Sequence, residues 1–296
     1  MIPSRLTVGI TTRNRPHALP GCLESLGRIR HLLDQVIVFD DGSEPAAEVS
    51  AEFALPVRVI RDVSSPGLIV GRNHLVREAP TELVLLLDDD ARVIDASSIQ
   101  RAMEIMDADD LVGAVAFAQA EADGRPWPAA MQPSRAARPS VIPSFIGFAH
   151  LLRRDLFLRL GGYREEFIFY GEEKDFCLRL LDAGYLTVYL PDALVSHIPD
   201  AAGRSRSRYL RYVVRNDCLN AFYNDPYPRV LWTLPARYLL YFKMRHGWRI
   251  RDPWGWLWVA REVLACASRT REGRRPVSRA SIRLWTALKN APRPYV

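Results

Sequence analysis

Three consecutive aspartates, Asp88, Asp89 and Asp90, follow the apolar run Leu83 to Leu87 in the segment TELVLLLDDDARV. A continuous apolar run of this length suits a strand buried on both faces. Like charges packed this closely raise one another's pKa or demand a counter-cation. A divalent metal in a cleft at the carboxyl end of the sheet meets that demand, since open α/β sheets bind ligands there. A solvated acidic turn is the plainer alternative for the stretch taken alone. A second acidic group, Glu172, Glu173 and Asp175, follows Gly171 and the aromatic segment FIFY. Acids in a first helical turn meet the helix dipole favourably, which is the structural reading. The glycine and aromatic lead-in suit carboxylates facing a cleft.

Smaller signals accompany these two. The segment Val36 to Phe39 stops on Asp40, Asp41, Gly42 and Ser43, a loop with carboxylates and a flexible glycine, or simply a strand-end turn. Gly71, Arg72 and Asn73 open a helix. There Gly71 would let backbone approach a ligand and Arg72 would offer a cation to phosphate. A solvated arginine is the alternative. His197 ends the extended stretch ALVSH. A lone histidine is usually structural, but at a strand end in a chain with acidic strand ends it is a candidate metal ligand.

The surrounding pattern says what must position these groups. Leu6 to Thr11 reads as a buried strand, followed by a polar turn over residues 12–16 and a helix from Pro16 to Ile29. Strands follow at Val36 to Phe39 and Val57 to Ile60, then the helix with Leu75 and Val76, then the acidic strand. This alternation implies a mostly parallel, helix-covered sheet. Further on, Ile99 to Met106 is helical, Val112 to Ala118 is a strand, and Phe145 to Leu152 is a buried element. Residues 121–143, rich in Pro, Ala and Arg and carrying Trp127, read as a mobile loop over the site. Tyr185 to Leu190 is a strand, residues 203–208 (GRSRSR) a basic flexible loop, and Tyr209 to Tyr223 a helix carrying Arg215 and Asn216.

Composition divides the chain at Pro226. Residues 1–225 hold 25 Lys+Arg against 31 Asp+Glu, whereas residues 226–296 hold 15 against 3 and six of the seven tryptophans. A basic, Trp-rich tail on an acidic body suggests an anionic partner surface. Leu231 to Phe242 and Trp254 to Ala267 read as amphipathic helices within this tail. The tail is either a peripheral membrane contact or a helical cap or dimer contact. Nucleic acid is not expected, because no recognised module is present. Cys22, Cys177, Cys218 and Cys266 show no CxxC spacing and read as small apolar residues in a reducing compartment. No signal-peptide pattern opens the chain, and no apolar stretch reaches the roughly 18 residues needed to span a bilayer. The expected location is therefore cytoplasmic, with the tail on the inner face of the cell membrane if it binds lipid.

In this order, TTRNRP, DDGS, GRN, LLDDD, LGGYREEFIFYGEEKDFCLRL and PDALVSH resemble the family 2 glycosyltransferases of the GT-A fold, over about Leu6 to Tyr223. A rhamnosyltransferase-like subgroup is included in the resemblance. It implies an α/β, Rossmann-like mixed sheet, mostly parallel and flanked by helices, as a catalytic domain over residues 1–225 with a helical extension over 226–296. It also implies an inverting transfer from a nucleotide-diphosphate sugar (UDP, dTDP or GDP), with Mg2+ or Mn2+, to a hydroxyl of a carbohydrate or lipid-linked acceptor. Thr11, Arg13 and Asp40, with Asp41 in the same DDGS loop, would surround the nucleotide. Arg72, Asn73, Asp88 and Asp89 would sit by the donor. Asp88 and Asp90 match the ends of the DxD element, with Asp90 the better metal ligand, and His197 matches a histidine that completes the metal site or touches the diphosphate. Glu172 and Glu173 match the Glu-Asp pair whose second member is the base, so Glu173 is favoured and Glu172 and Asp175 are alternates. Glu at that second position is one methylene longer than the family's Asp.

Two other classes compete. A sugar nucleotidyltransferase shares the sheet type but calls for a Gly-rich loop after the first strand, where this chain has TTRNRP. A non-catalytic nucleotide-sugar or membrane-binding module would not need intact metal and base positions.

Overall fold

The run Leu83 to Leu87 lies in the middle of a ten-stranded sheet, and its five side chains are at most 1% exposed. Its alternation divides two cores. Val84 and Leu86 point into one hydrophobic cluster, and Leu83, Leu85 and Leu87 into the other. A strand covered on both faces has no polar face, which is why it reads as an unbroken apolar run.

The computed structural model describes residues 6–50, 53–199 and 205–296. The elements run β1 (Leu6–Thr12), α1 (Leu19–Ser25), β2 (Leu33–Asp40), β3 (Val57–Arg61), α2 (Leu68–Glu78), β4 (Leu83–Asp88), β5 (Ala91–Val93), α3 (Ala96–Ala108), β6 (Val112–Ala120), β7 (Ser140–Ile142), β8 (Ala149–Arg153) and α4 (Arg154–Arg159). They continue as α5 (Glu172–Asp182), β9 (Leu186–His197), α6 (Arg206–Asn224), α7 (Val230–Gly247), α8 (Gly255–Thr270), α9 (Arg279–Asn290) and β10 (Arg293–Pro294). Strand order is β10-β7-β9-β6-β8-β4-β1-β2-β3, with β5 paired to β9. The block β4-β1-β2-β3 is parallel. Strand β8 runs antiparallel between β4 and β6, and β9 lies parallel to β6. The carboxyl ends of β1, β2, β4 and β9 therefore meet at one edge. That edge is where an open α/β sheet places its ligand.

Several expected elements differ in extent. The helix expected from Pro16 starts at Leu19, with Pro20 in its first turn, and tightens into a 3-10 turn over Leu26–Leu32. The strand expected from Tyr185 starts at Leu186 and runs on through Ala193 to His197 as one strand, whose pairing with β6 is shifted between Phe117 and Ala118. Residues 121–143 are not wholly loop, because they include a 3-10 turn at Ala129–Met131 and strand β7. Of the GRSRSR stretch, residues 203–204 lie outside the described residues, and Arg206 onward is the start of α6.

Helices α7 and α8 pack against α6, and Tyr241, Val259, Val263 and Cys266 join the cluster that also covers one face of the sheet. Helix α9, not foreseen in the sequence, docks on α5. No helix among the described residues is long and apolar enough to cross a membrane.

Candidate active site

A cleft of about 350 Å3 opens at the carboxyl edge of the sheet. Its walls include Thr11, Arg13, Asp41, Arg72, Asp88, Asp89, Asp90, Glu172, Glu173 and His197. The two acidic clusters, far apart in sequence, face one space.

Pairing of β5 with the end of β9 brings Asp90 to His197. Ala91 is in register with His197, and the Ile198 N–H donates to the Asp90 carbonyl at 3.0 Å. His197 Nε2 then stands 3.5 Å from Asp90 Oδ1. Asp88, Asp90 and His197 each offer a ligand atom within 4.8 Å of the others. Asp90 Oδ1 is buried and has no hydrogen-bond partner. An orphaned carboxylate oxygen beside an imidazole and a second carboxylate fits a hard divalent cation.

Other side chains fix these donors. Arg72 Nη2 donates to Asp88 Oδ1 at 2.6 Å and to the Gly147 carbonyl at 2.7 Å, while its Nη1 donates to Glu172 Oε1 at 2.9 Å. Arg15 Nη1 donates to Asp89 Oδ1 at 2.7 Å and Asp90 Oδ2 at 2.8 Å. Thr12 Oγ1 donates to Asp89 Oδ2 at 2.8 Å. Gln119 Nε2 donates to the Met131 carbonyl, which turns its Oε1 toward His197 Nδ1 at 2.7 Å. His197 thus carries its proton on Nδ1 and presents Nε2 toward Asp90, as metal-binding histidines do. Trp127 and Phe148 both stack against the His197 ring, at 5.5 and 4.9 Å between centroids. Burial pushes the Asp89 carboxyl up to about 6, against the pull of Arg15 and Thr12.

Arg15 and Gln119 were not singled out in the sequence. Arg15 lies inside TTRNRP, and its signal is a cation next to a strand end. Gln119 is a lone amide in an apolar strand and gives no local signal.

The second acidic cluster opens α5. Glu172 is buried, and burial, followed by the charge of Glu173, holds its carboxyl well above the usual range. Glu173 is half-buried on the cleft wall and accepts from the Gly171 N–H at 3.2 Å. A Cβ on Gly147 would lie 2.5 Å from Glu173 Oε1 and 2.8 Å from Arg72 Nη1, so glycine is required for that close approach. The loop before α5 is bent into the left-handed region at Ile168 (φ 66°), Tyr170 (φ 67°) and Gly171 (φ 86°). Branched and bulky residues rarely adopt this conformation. Helix α6 restrains it, because Asn216 Nδ2 reaches the carbonyls of Phe167 and Phe169 at 2.8 Å and of Tyr170 at 2.7 Å.

Three expected site residues do not line the cleft. Asp40 is fully buried and accepts from the N–H groups of Ser43 at 2.8 Å and Ala47 at 3.0 Å, shaping the DDGS loop. Asn73 clasps Tyr163, accepting from its N–H at 2.9 Å and donating to its carbonyl at 2.8 Å. Asp175 is fully buried between Arg164 at 3.1 Å and Arg179 at 2.7 Å. Gly71 makes room for Phe39 and Thr11, which a Cβ would meet at 2.7 and 2.9 Å, rather than for a ligand. By contrast, Thr11 Oγ1 is buried, unpartnered and on the cleft wall, and Asp41 accepts from the Gly67 N–H at 2.8 Å at the start of α2.

The sheet order and the acidic cleft at its carboxyl edge are those of the GT-A glycosyltransferase fold. Residues 7–161 match the model of glycosyl transferase family 2, more than half of the chain, and the protein belongs to that family. The "Uncharacterized glycosyltransferase YwdF" of Bacillus subtilis (strain 168) is 32% identical over 106 residues, which cover 36% of this chain and 40% of that relative. Among solved structures, S. aureus TarS 1-349 in complex with UDP-GlcNAc aligns with TM-score 0.60 and 15% identity, over 86% of this chain and 79% of that one. A mannosyltransferase of Pyrobaculum calidifontis in complex with GDP-Man and Mn2+ aligns with TM-score 0.55 and 18% identity, over 96% and 79% of the two chains. GalNAc-T7 with UDP, GalNAc and Mn2+ aligns with TM-score 0.56 and 18% identity, over 73% of this chain and half of that one. These likenesses carry the fold.

Proposed function

We propose that the protein is an inverting glycosyltransferase. It would move a hexosyl or deoxyhexosyl group from a nucleotide diphosphate to a hydroxyl of a carbohydrate or lipid-linked acceptor. The observation that carries this reading is the shared cleft, with Asp88, Asp90 and His197 in its lining together with Glu173.

Asp88, Asp90 and His197 would hold Mg2+ or Mn2+, with Asp89 kept in place by Arg15 and Thr12. The cation, when bound, supplies Lewis-acid stabilisation of charge on the departing diphosphate. Thr11, Arg13 and Asp41 face the nucleotide. Asp40 and Asn73 act from behind the wall by shaping the loops that carry these contacts. Arg72 ties Asp88 to Glu172 and keeps the two carboxylates of opposite walls in register. Glu173 accepts the proton of the acceptor hydroxyl as its oxygen attacks the anomeric carbon on the face opposite the leaving group. Such general-base assistance contributes about 10²–10⁴ in rate. The test is a thermal-shift screen of UDP-, dTDP- and GDP-sugars with and without Mn2+. A metal-dependent stabilisation by one donor class supports the reading, and no stabilisation by any of them overturns it.

The extension over 226–296 divides the work further. Leu231, Trp232 and Leu239 on α7 are 64, 56 and 60% exposed, with Phe242 beside them and Lys243, Arg249 and Arg251 at the following end. Apolar side chains rimmed by cations suit an anionic lipid interface, where each basic residue contributes about 1 kcal/mol. We infer peripheral contact with the inner face of the cell membrane. Flotation with vesicles containing phosphatidylglycerol should be lost in a Trp232→Ser, Leu239→Ser double variant. Equal flotation of both proteins removes α7 as the contact.

A further inference from the structure

We infer that a recess behind Tyr170 takes an apolar chain borne by the acceptor, an assignment that rests on the transferase reading above. The recess has a volume of about 360 Å3 and lies between α6, α7 and the loop that leads into α5. This lies within the span of about 300–1,000 Å3 usual for small-molecule sites. Val213 and Val214 of α6 and Leu240 and Met244 of α7 line it. Tyr170 lines both the recess and the catalytic cleft, so the two spaces adjoin at the start of the helix that carries Glu173.

The chemistry of the walls selects the occupant. The charged groups of the lining are already engaged, and Asn220 Oδ1, buried without a hydrogen-bond partner, is an acceptor with nothing to donate to a phosphate. Lys174 is paired with Asp217, which also meets Arg237 at 3.1 Å, and the Asn216 amide nitrogen is used on three loop carbonyls. No unpaired charge is left among these groups to receive a phosphate. The aliphatic side chains offer dispersion contacts and burial to hydrocarbon. Leu239 and Phe242, on the outer side of α7, are 60 and 42% exposed next to Leu240. A chain leaving the recess would therefore emerge on the apolar face of the same helix. The acceptor class this describes is an amphiphile, with a hydroxyl-bearing head at Glu173 and hydrocarbon passing Tyr170.

Calorimetry of the full chain with UDP and Mn2+ and a series of alkyl glucosides, butyl to decyl and below their micelle concentrations, tests this. Binding should tighten roughly three- to fourfold per added methylene until the recess is full. Val213→Trp, which fills the space, should weaken octyl glucoside binding by about tenfold or more and flatten the chain-length series. Met244→Phe gives a second filled variant that decides the matter if the first does not fold. Leu111→Ser, at an exposed position between α3 and β6 that lines neither space, should leave the series unchanged. An undiminished series in a folded, filled variant, or a flat series in the wild type, overturns the assignment. Failure of every nucleotide to bind the wild type overturns the transferase reading instead.

Discussion

His197 Nε2 stands 3.5 Å from Asp90 Oδ1, although 107 positions separate them in the chain. Three residues of β5 create this meeting by pairing with the last residues of β9. Both side chains are pinned from behind, Asp90 by Arg15 and His197 by Gln119.

Metal affinity should therefore depend on a residue that touches no metal. Gln119→Leu removes the acceptor for the His197 Nδ1 proton and is expected to weaken Mn2+ binding about 10- to 100-fold. Asp90→Asn and His197→Ala should weaken it further. Titration of free Mn2+ by electron paramagnetic resonance reads this directly. Unchanged affinity in Gln119→Leu would show that the imidazole needs no such support.

The two glutamates that open α5 should separate on mutation. Glu173→Gln is expected to lower turnover about 10²–10⁴-fold with donor binding retained. Glu172→Gln loosens the Arg72 bridge to Asp88 and should raise the donor KM. Steady-state kinetics on both variants distinguish the two roles, and a Glu173→Gln enzyme with normal turnover would exclude Glu173 as the base.

Gly147→Ala tests the close approach of the two walls. The added methyl meets the Glu173 carboxylate and the Arg72 guanidinium, and Arg72 is only 2% exposed and has little freedom to retreat. The expected result is a fall in kcat by about tenfold, the loss of a well-placed catalytic group, with a nearly unchanged melting temperature.

Asn216→Ala withdraws the amide that restrains the bent loop before α5. Leaving three carbonyls without that donor should cost about 1–3 kcal/mol of stability and reduce kcat more than nucleotide affinity. Urea denaturation and nucleotide titration give the two numbers.

Asp175 should contribute to the acid limit of stability. Burial opposes its ionisation, but Arg179, Arg164 and Asn224 outweigh that and hold its carboxyl below the ordinary range. Its contribution is then fully present above the unfolded value of about 3.9 and is lost as the pH falls through the folded value. Asp175→Asn strips a buried charge from its partners and should cost about 3–5 kcal/mol near neutrality. The gap between variant and wild-type urea midpoints should narrow below about pH 4.

What could be read in advance follows the physics of each signal. The strand Leu83 to Asp88 and the cleft at its end were legible, because a double-sided core writes itself as an unbroken apolar run. Glu173 and His197 stood out by their local settings and by their place in an ordered set of motifs, and both do line the cleft. Asp40, Asn73 and Asp175 share that chemistry, yet each turns inward to a backbone or arginine partner, which depends on packing that no local pattern records. Gln119 was illegible for the opposite reason, since a single amide acquires its role from a histidine 78 positions away. Helix α9 escaped notice because only Ser281, Ile282 and Leu288 of its residues are buried, too sparse a stripe to announce a helix.

The stretch matched by the family model ends at Gly161, before Glu173 and His197. The ends of β1, β2 and β4, which the proposed reading sets against the nucleotide, thus fall inside one stretch, while Glu173, His197 and the greasy annex beyond Tyr170 come from later chain. On the proposed reading, changes confined to the later chain would redraft the recipient and leave the delivery apparatus untouched.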